Sequence, residues 1–155
     1  MTRPATAEDA QVDAGPTMLY LIKQLELAVR AQLDEVLRPL AITPLQYTAL
    51  TVLERRSDLS TAELARNAFV TDQSAADMVA VLEERGLLLR LPDPVDRRRR
   101  VLRLTSAGQL LLDQTRGDVE AVETQMLAPL TANEATSLRR YVTVCRGALS
   151  SAPPH

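Results

Sequence analysis

Between Thr17 and Leu37 the apolar residues Ile22, Leu25, Val29, Leu33, Val36 and Leu37 recur every three or four positions. That spacing predicts one face of a long helix, ended by Pro39. Thr43-Pro44-Leu45-Gln46 then supplies an N-cap, a proline at the first helical position and a glutamine three residues past the cap. A second helix is expected from there to about Arg56. Ser60-Thr61-Ala62-Glu63 and Thr131-Ala132-Asn133-Glu134 repeat the capping-box logic, the first before a short helix ending near Phe69-Val70 and the second before the last helix. Thr71 is the N-cap of another helix, striped by Ala75, Met78, Val79 and Leu82 and closed by Gly86.

After Gly86 the period changes. Leu87-Leu88-Leu89-Arg90-Leu91 and Val101-Leu102-Arg103-Leu104 are short apolar runs around a Pro- and charge-rich segment, DPVDRRRR, at Asp93 to Arg100. This is the pattern of a two-stranded hairpin with a long loop. From Thr105 a long helix carries Leu112, Val119, Val122 and Met126, with a bend expected at Gly117, where glycine costs roughly 1 kcal/mol relative to Ala. Pro129 separates it from the final helix, whose stripe is Leu138, Tyr141, Val142, Cys145 and Leu149. Residues 1–16 and 150–155, rich in Ala, Pro, Ser, Asp and Thr without periodicity, read as mobile tails around a single domain at 17–149.

Composition supports a mainly α fold. Apolar residues make up 46% of the 155, enough for a sizeable core, but aromatics are 3% and Trp is absent. The core must therefore be Leu, Ala and Val, which suits packed helices better than a sheet sandwich. No window approaches the ~18 apolar residues of a membrane span and no signal-peptide-like stretch opens the chain, so a cytoplasmic protein without membrane attachment is expected. One cysteine, Cys145, excludes an internal disulfide. With His155 the single histidine, there is no Cys/His metal set, no cofactor is expected, and an enzyme is the weakest reading. The sequence pI near 5.5 requires any nucleic-acid binding to be local rather than driven by bulk charge.

Helix, turn, helix, hairpin with a basic loop, then helix is the order of a winged helix-turn-helix DNA-binding domain. A helix about 10–12 Å across fits the ~12 Å major groove, and a loop beyond the hairpin reaches adjacent phosphates or the minor groove. At this point LRPLAITPLQYTAL (37–50), STAELAR (60–66), VLEERGLLLRLPDPVDRRRR (81–100) and LRLTSAG (102–108) can be compared with known patterns. The D-x-R of the wing, the G-L turn before the first strand and L-T-x-x-G after the second resemble the MarR family of transcriptional regulators, over about Thr17 to Leu149. The resemblance implies a homodimer on a palindromic operator in double-stranded DNA. Residues 17–38 and 105–149 would supply the dimerisation helices, and 43–104 the winged helix-turn-helix. It also implies a repressor responsive to a small aromatic or phenolic effector.

The expected DNA-binding residues are Thr71, Gln73, Ser74 and Asp77 in the recognition helix and Arg97, Arg98, Arg99 and Arg100 in the wing. Asp96 is expected to brace an arginine and hold the loop, and the D-x-R pattern of the family makes Arg98 the candidate for minor-groove insertion. The recognition stretch from Thr71 to Arg85 carries Asp72, Asp77, Glu83 and Glu84 against Arg85, a net −3. The wing from Asp93 to Arg103 carries five arginines against Asp93 and Asp96, a net +3. The wing must offset the helix. Asp77 departs from the basic or hydroxyl residue that the family commonly places there. It could accept from cytosine N4, while Gln73 and Ser74 can read base edges, and Thr71 with the helix N-terminus could instead hold a phosphate. Tyr20 and Tyr47 are candidates to line an effector pocket, with core packing as the plainer reading, and Cys145 is expected to be a buried small apolar residue. The acidic helix keeps open an alternative, a winged-helix protein-interaction module with weak or no DNA binding.

Overall fold

A computed structural model of the chain describes residues 15–150. Apart from Gly15, Pro16 and Ser150, the tails expected at 1–16 and 150–155 lie outside the described residues. The chain divides into two compact units, Met1–Pro44 and Leu45–His155.

In the first unit, helix α1 spans Met18–Leu37, and the Thr17 hydroxyl accepts from the Tyr20 amide at 3.2 Å to cap it. Pro39 sits in a 3-10 turn, Arg38–Leu40, and Ala41 turns the chain away with a left-handed φ of 53°. Leu37 and Ile42 are buried. The N-terminal half of α1 does the opposite. Met18, Leu19, Tyr20, Leu21, Ile22, Leu25 and Leu27 are all exposed.

The second unit contains α2 (Pro44–Arg55) from its second residue onward, α3 (Thr61–Ala68), α4 (Asp72–Glu84), β1 (Leu88–Pro92), β2 (Arg100–Leu104), α5 (Ser106–Leu127) and α6 (Ala132–Leu149). The capping boxes at Ser60/Glu63 and Thr131/Glu134 both form in full. Helix α4 ends as its glycine requires. Gly86 has a φ of +70°, its amide donates to the Glu83 carbonyl at 2.9 Å, and the Leu87 amide donates to Leu82 at 2.9 Å. That pair of bonds satisfies two carbonyls that the helix end would otherwise leave open.

Strands β1 and β2 pair antiparallel with Leu88 opposite Leu104 and Pro92 opposite Arg100. A third element joins them that sequence pattern did not reveal: Leu59, just before α3, forms an isolated bridge to Leu102, whose amide donates to the Leu59 carbonyl at 2.7 Å. Below the hairpin, Leu50, Leu53, Leu64, Ala65, Ala75, Val79, Leu82, Leu88, Val101, Leu102 and Leu112 are buried. Each fully buried leucine contributes roughly 1.5–3 kcal/mol relative to exposure.

The L-T-x-x-G segment seats α5 in this core. The Thr105 hydroxyl donates to the Gly86 carbonyl at 2.7 Å and accepts from the Gly108 amide at 3.0 Å, so one side chain ties the end of α4 to the start of α5. Gly108 is needed for the approach, since a Cβ there would lie 2.2 Å from the Leu87 carbonyl oxygen. Leu111, Leu112 and Thr115 are buried, and Glu54 of α2 accepts from Gln109 at 2.8 Å and Arg116 at 2.5 Å. The helix continues unbroken through Gly117. Beyond that point burial ends: Met126 is exposed, and α6 contains no buried residue.

Candidate nucleic-acid interface

Helices α3 and α4 form the helix-turn-helix. Phe69 ends α3 in a left-handed conformation, φ 58°, and Thr71 caps α4 by accepting from the Ser74 amide at 3.1 Å. The cap fixes which face of α4 is free. Ala75, Met78, Val79 and Leu82 point into the core, while Gln73, Ala76, Asp77, Ala80, Val81 and Glu84 are exposed. Within this face the Gln73 amide nitrogen donates to Asp77 Oδ1 at 2.9 Å, and the Thr71 and Ser74 hydroxyls bond each other at 3.0 Å.

The wing is the loop between β1 and β2, and its shape comes from two aspartates with different tasks. Asp96 accepts from the Arg98 backbone amide at 3.0 Å, and its own carbonyl accepts from the Arg99 amide at 3.0 Å. It therefore shapes the loop through the backbone, and no arginine side chain pairs with it among the described residues. The guanidinium clamp belongs to Asp93 instead. Arg99 Nη1 donates to Asp93 Oδ2 at 2.8 Å, and Nη2 donates to Glu63 Oε2 at 2.5 Å. Arg99, one of the four arginines expected at the DNA, has its side chain turned to the protein body and bonded to two carboxylates.

The electrostatics follow that geometry. The Ser60 backbone amide, and then Arg99, hold the Glu63 carboxyl below its usual 4.5. The Arg99 guanidinium, with the amides of Val95 and Asp96, holds Asp93 below its usual 3.8. Arg99 is raised in turn, most of all by Asp93. At the base of the hairpin Arg103 pairs with Asp58 at 2.7 Å. Arg97, Arg98 and Arg100 are exposed, and among the described residues no acidic side chain pairs with them. Three cations therefore face outward from a hairpin anchored to the N-terminus of α3.

The remaining expected positions are less enclosed than the sequence pattern indicated. Cys145 is exposed, together with Tyr141, Val142 and Leu149 of the same stripe, while Leu138 is half-buried. Tyr20 is 56% exposed, which overturns core packing for it within this chain. Tyr47 is half-buried, and burial pushes its phenol above the ordinary 10.0. A shallow cleft walled by Leu53, Glu54, Ser57, Arg103, Thr105 and Gln109 contains neither tyrosine. Among the described residues no helix is long and apolar enough to cross a membrane, and no cluster of His, Cys, Asp and Glu could hold a metal ion.

A helix-turn-helix followed by a braced, outward-facing basic hairpin defines a winged helix-turn-helix protein. The sequence profile of the MarR family matches residues 42–99. The HTH-type transcriptional repressor Rv2887 of Mycobacterium tuberculosis is 31% identical over 123 residues, which cover 79% of this chain and 88% of the relative. Among solved structures, a mutant of Escherichia coli MarR complexed with operator DNA matches with a TM-score of 0.76 at 26% identity, covering 83% of this chain and 92% of that one. Rv2887 complexed with p-aminosalicylic acid matches with a TM-score of 0.69 at 28% identity, covering 83% and 98%. The chain belongs to the MarR family, and it is a transcriptional regulator.

Proposed function

We propose that the protein is a homodimeric repressor that binds a palindromic operator, with α4 in the major groove and the wing on the adjacent phosphates and minor groove. The observation that carries this reading is the set of three exposed arginines, Arg97, Arg98 and Arg100, free of acidic partners among the described residues and held on a hairpin braced by Asp93, Asp96 and Glu63. Counterion release by these side chains supplies the attraction that an acidic recognition helix lacks. Thr71, Gln73, Ser74 and Asp77 lie at the exposed N-terminal end of α4, where a recognition helix meets base edges. The operator complex of the related MarR supports the assignment.

Dimerisation is supported by the apolar residues that α1 and α6 each leave uncovered, Leu21, Ile22 and Leu25 on one and Tyr141, Val142 and Leu149 on the other. A symmetric copy buries them economically and would set the two recognition helices about 34 Å apart, one turn of DNA. The p-aminosalicylic acid complex of Rv2887 supports a small aromatic acid as effector, with Tyr20 and Tyr47 as the contacts to test. The protein acts in the cytoplasm and catalyses no reaction.

The test replaces Arg97, Arg98 and Arg100 with Ala and titrates palindromic DNA selected from a random library at several salt concentrations. Affinity is expected to fall and the dependence of log K on log salt to flatten, by about 0.9 for each phosphate that the variant no longer neutralises. Unchanged affinity and slope would overturn the assignment of the wing.

A further inference from the structure

From the exposed face of α4 we infer that Asp77 orients Gln73 to read an adenine, rather than reading a base itself. The inference rests on the DNA-binding function proposed above. Between Thr71 and Glu84 there is no Arg or Lys, so the helix carries no bidentate partner for guanine O6 and N7. Its hydroxyls, Thr71 and Ser74, are occupied with each other and with the cap. Gln73 is left as the side chain on this face that offers both a donor and an acceptor.

Asp77, one turn further along the same face, receives the Gln73 amide nitrogen at 2.9 Å. An ionised carboxylate accepts only, so the NH2 end of the amide, and not its oxygen, must face Asp77. One N–H is used there. The second N–H and Oε1 remain, and they form the pair that adenine requires: Oε1 accepts from N6 and the N–H donates to N7. Ala76 and Ala80, exposed three and seven residues after Gln73, present methyl groups of the size that packs on a thymine C5-methyl. The acidic helix thus gains base selectivity from Asp77 and loses phosphate attraction by it, and the wing arginines offset that loss.

The experiment begins with selection of binding sites by the full-length protein from a random duplex library. Failure to enrich any palindrome would overturn DNA reading altogether, and the inference with it. With an enriched site, fluorescence anisotropy compares adenine, guanine and 7-deazaadenine at each A·T position of the half-site. One position should prefer adenine to guanine by roughly ten- to a hundredfold, with 7-deazaadenine weakened for want of N7.

Asp77→Asn retains an oxygen that accepts from Gln73, so it should keep this preference while binding all duplexes more tightly. Asp77→Ala should also bind more tightly overall, but with most of the adenine preference abolished, as in Gln73→Ala. Circular dichroism of each variant checks that α4 is intact. Full adenine discrimination in Asp77→Ala would overturn the inference, as would a changed preference at a cytosine in Asp77→Asn, which would make Asp77 a base reader.

Discussion

Glu63 Oε2 receives both the Ser60 backbone amide, at 3.0 Å, and Arg99 Nη2, at 2.5 Å. The oxygen that closes the capping box of α3 is therefore the same oxygen that anchors the wing. The Arg99 guanidinium completes the link by holding Asp93 at 2.8 Å. A loop that would otherwise hang from two short strands is tied to the helix-turn-helix through one guanidinium.

Arg99→Ala should weaken operator binding without changing its salt dependence if the side chain, held by Glu63 and Asp93, serves only to brace the wing. Arg98→Ala should instead lower the slope of log K against log salt by about 0.9. Anisotropy titrations at four or five salt concentrations separate the two behaviours. A shallower slope in Arg99→Ala would return that residue to the DNA contacts.

The same clamp sets a pH dependence. Glu63 and Asp93 are both held below their usual values of 4.5 and 3.8, so they bind fewer protons in the folded protein than in the unfolded chain. Their contribution is fully present above about pH 4.5 and is lost as pH falls through the lowered folded values. Glu63→Gln keeps an acceptor for the Ser60 amide but removes the charge. Urea unfolding between pH 7 and pH 3 should show a smaller loss of stability on acidification in this variant than in the native chain.

Two glycines of α5 should respond in opposite directions. A Cβ at Gly108 would lie 2.2 Å from the Leu87 carbonyl oxygen and 2.6 Å from Leu104 Cδ1, and the backbone atom cannot step aside. Gly108→Ala is expected to cost about 1–3 kcal/mol or more. Gly117 meets nothing within 4 Å, so Gly117→Ala should stabilise by roughly 0.5–1 kcal/mol through helix propensity. Denaturant midpoints of the two variants test the pair.

Val142 is 59% exposed on α6 and Leu25 is 46% exposed on α1. If a second copy covers these faces, Val142→Glu or Leu25→Glu should shift the protein to monomer in sedimentation velocity. Cys145, on the same helix as Val142, should then react with a thiol reagent faster than in the native protein. A native chain that sediments as a monomer would overturn the dimer.

Local signals dictate much of this protein. Hydroxyl caps at Thr17, Ser60, Thr71, Thr105 and Thr131 satisfy amides within three residues, and Gly86 ends α4 by a conformation available to glycine at little cost. Such contacts involve neighbours in the chain. Caps and apolar periods therefore sufficed to place the six α-helices of the described residues, and the hairpin, to within a residue or two. The wing's excess of arginine was equally plain.

What remained was settled by contacts between residues far apart in sequence. The bridge from Leu59 to Leu102 crosses 43 positions, and no local pattern announces it. DPVDRRRR contains four identical side chains, and while the D-x-R pattern singles out Arg98, nothing in the run marks Arg99 as the one that turns inward. Arg99 turns inward because Glu63, 36 residues earlier, waits in the first turn of α3. Asp93 rather than Asp96 receives the guanidinium because the hairpin register brings Asp93 to Arg99, whose carbonyl also accepts the Asp93 amide at 2.8 Å. The apolar stripes of α1 and α6 were legible as stripes, but a stripe states only that a face is apolar. That Tyr20, Val142 and Cys145 are exposed was decided by packing, which an apolar stripe alone does not specify.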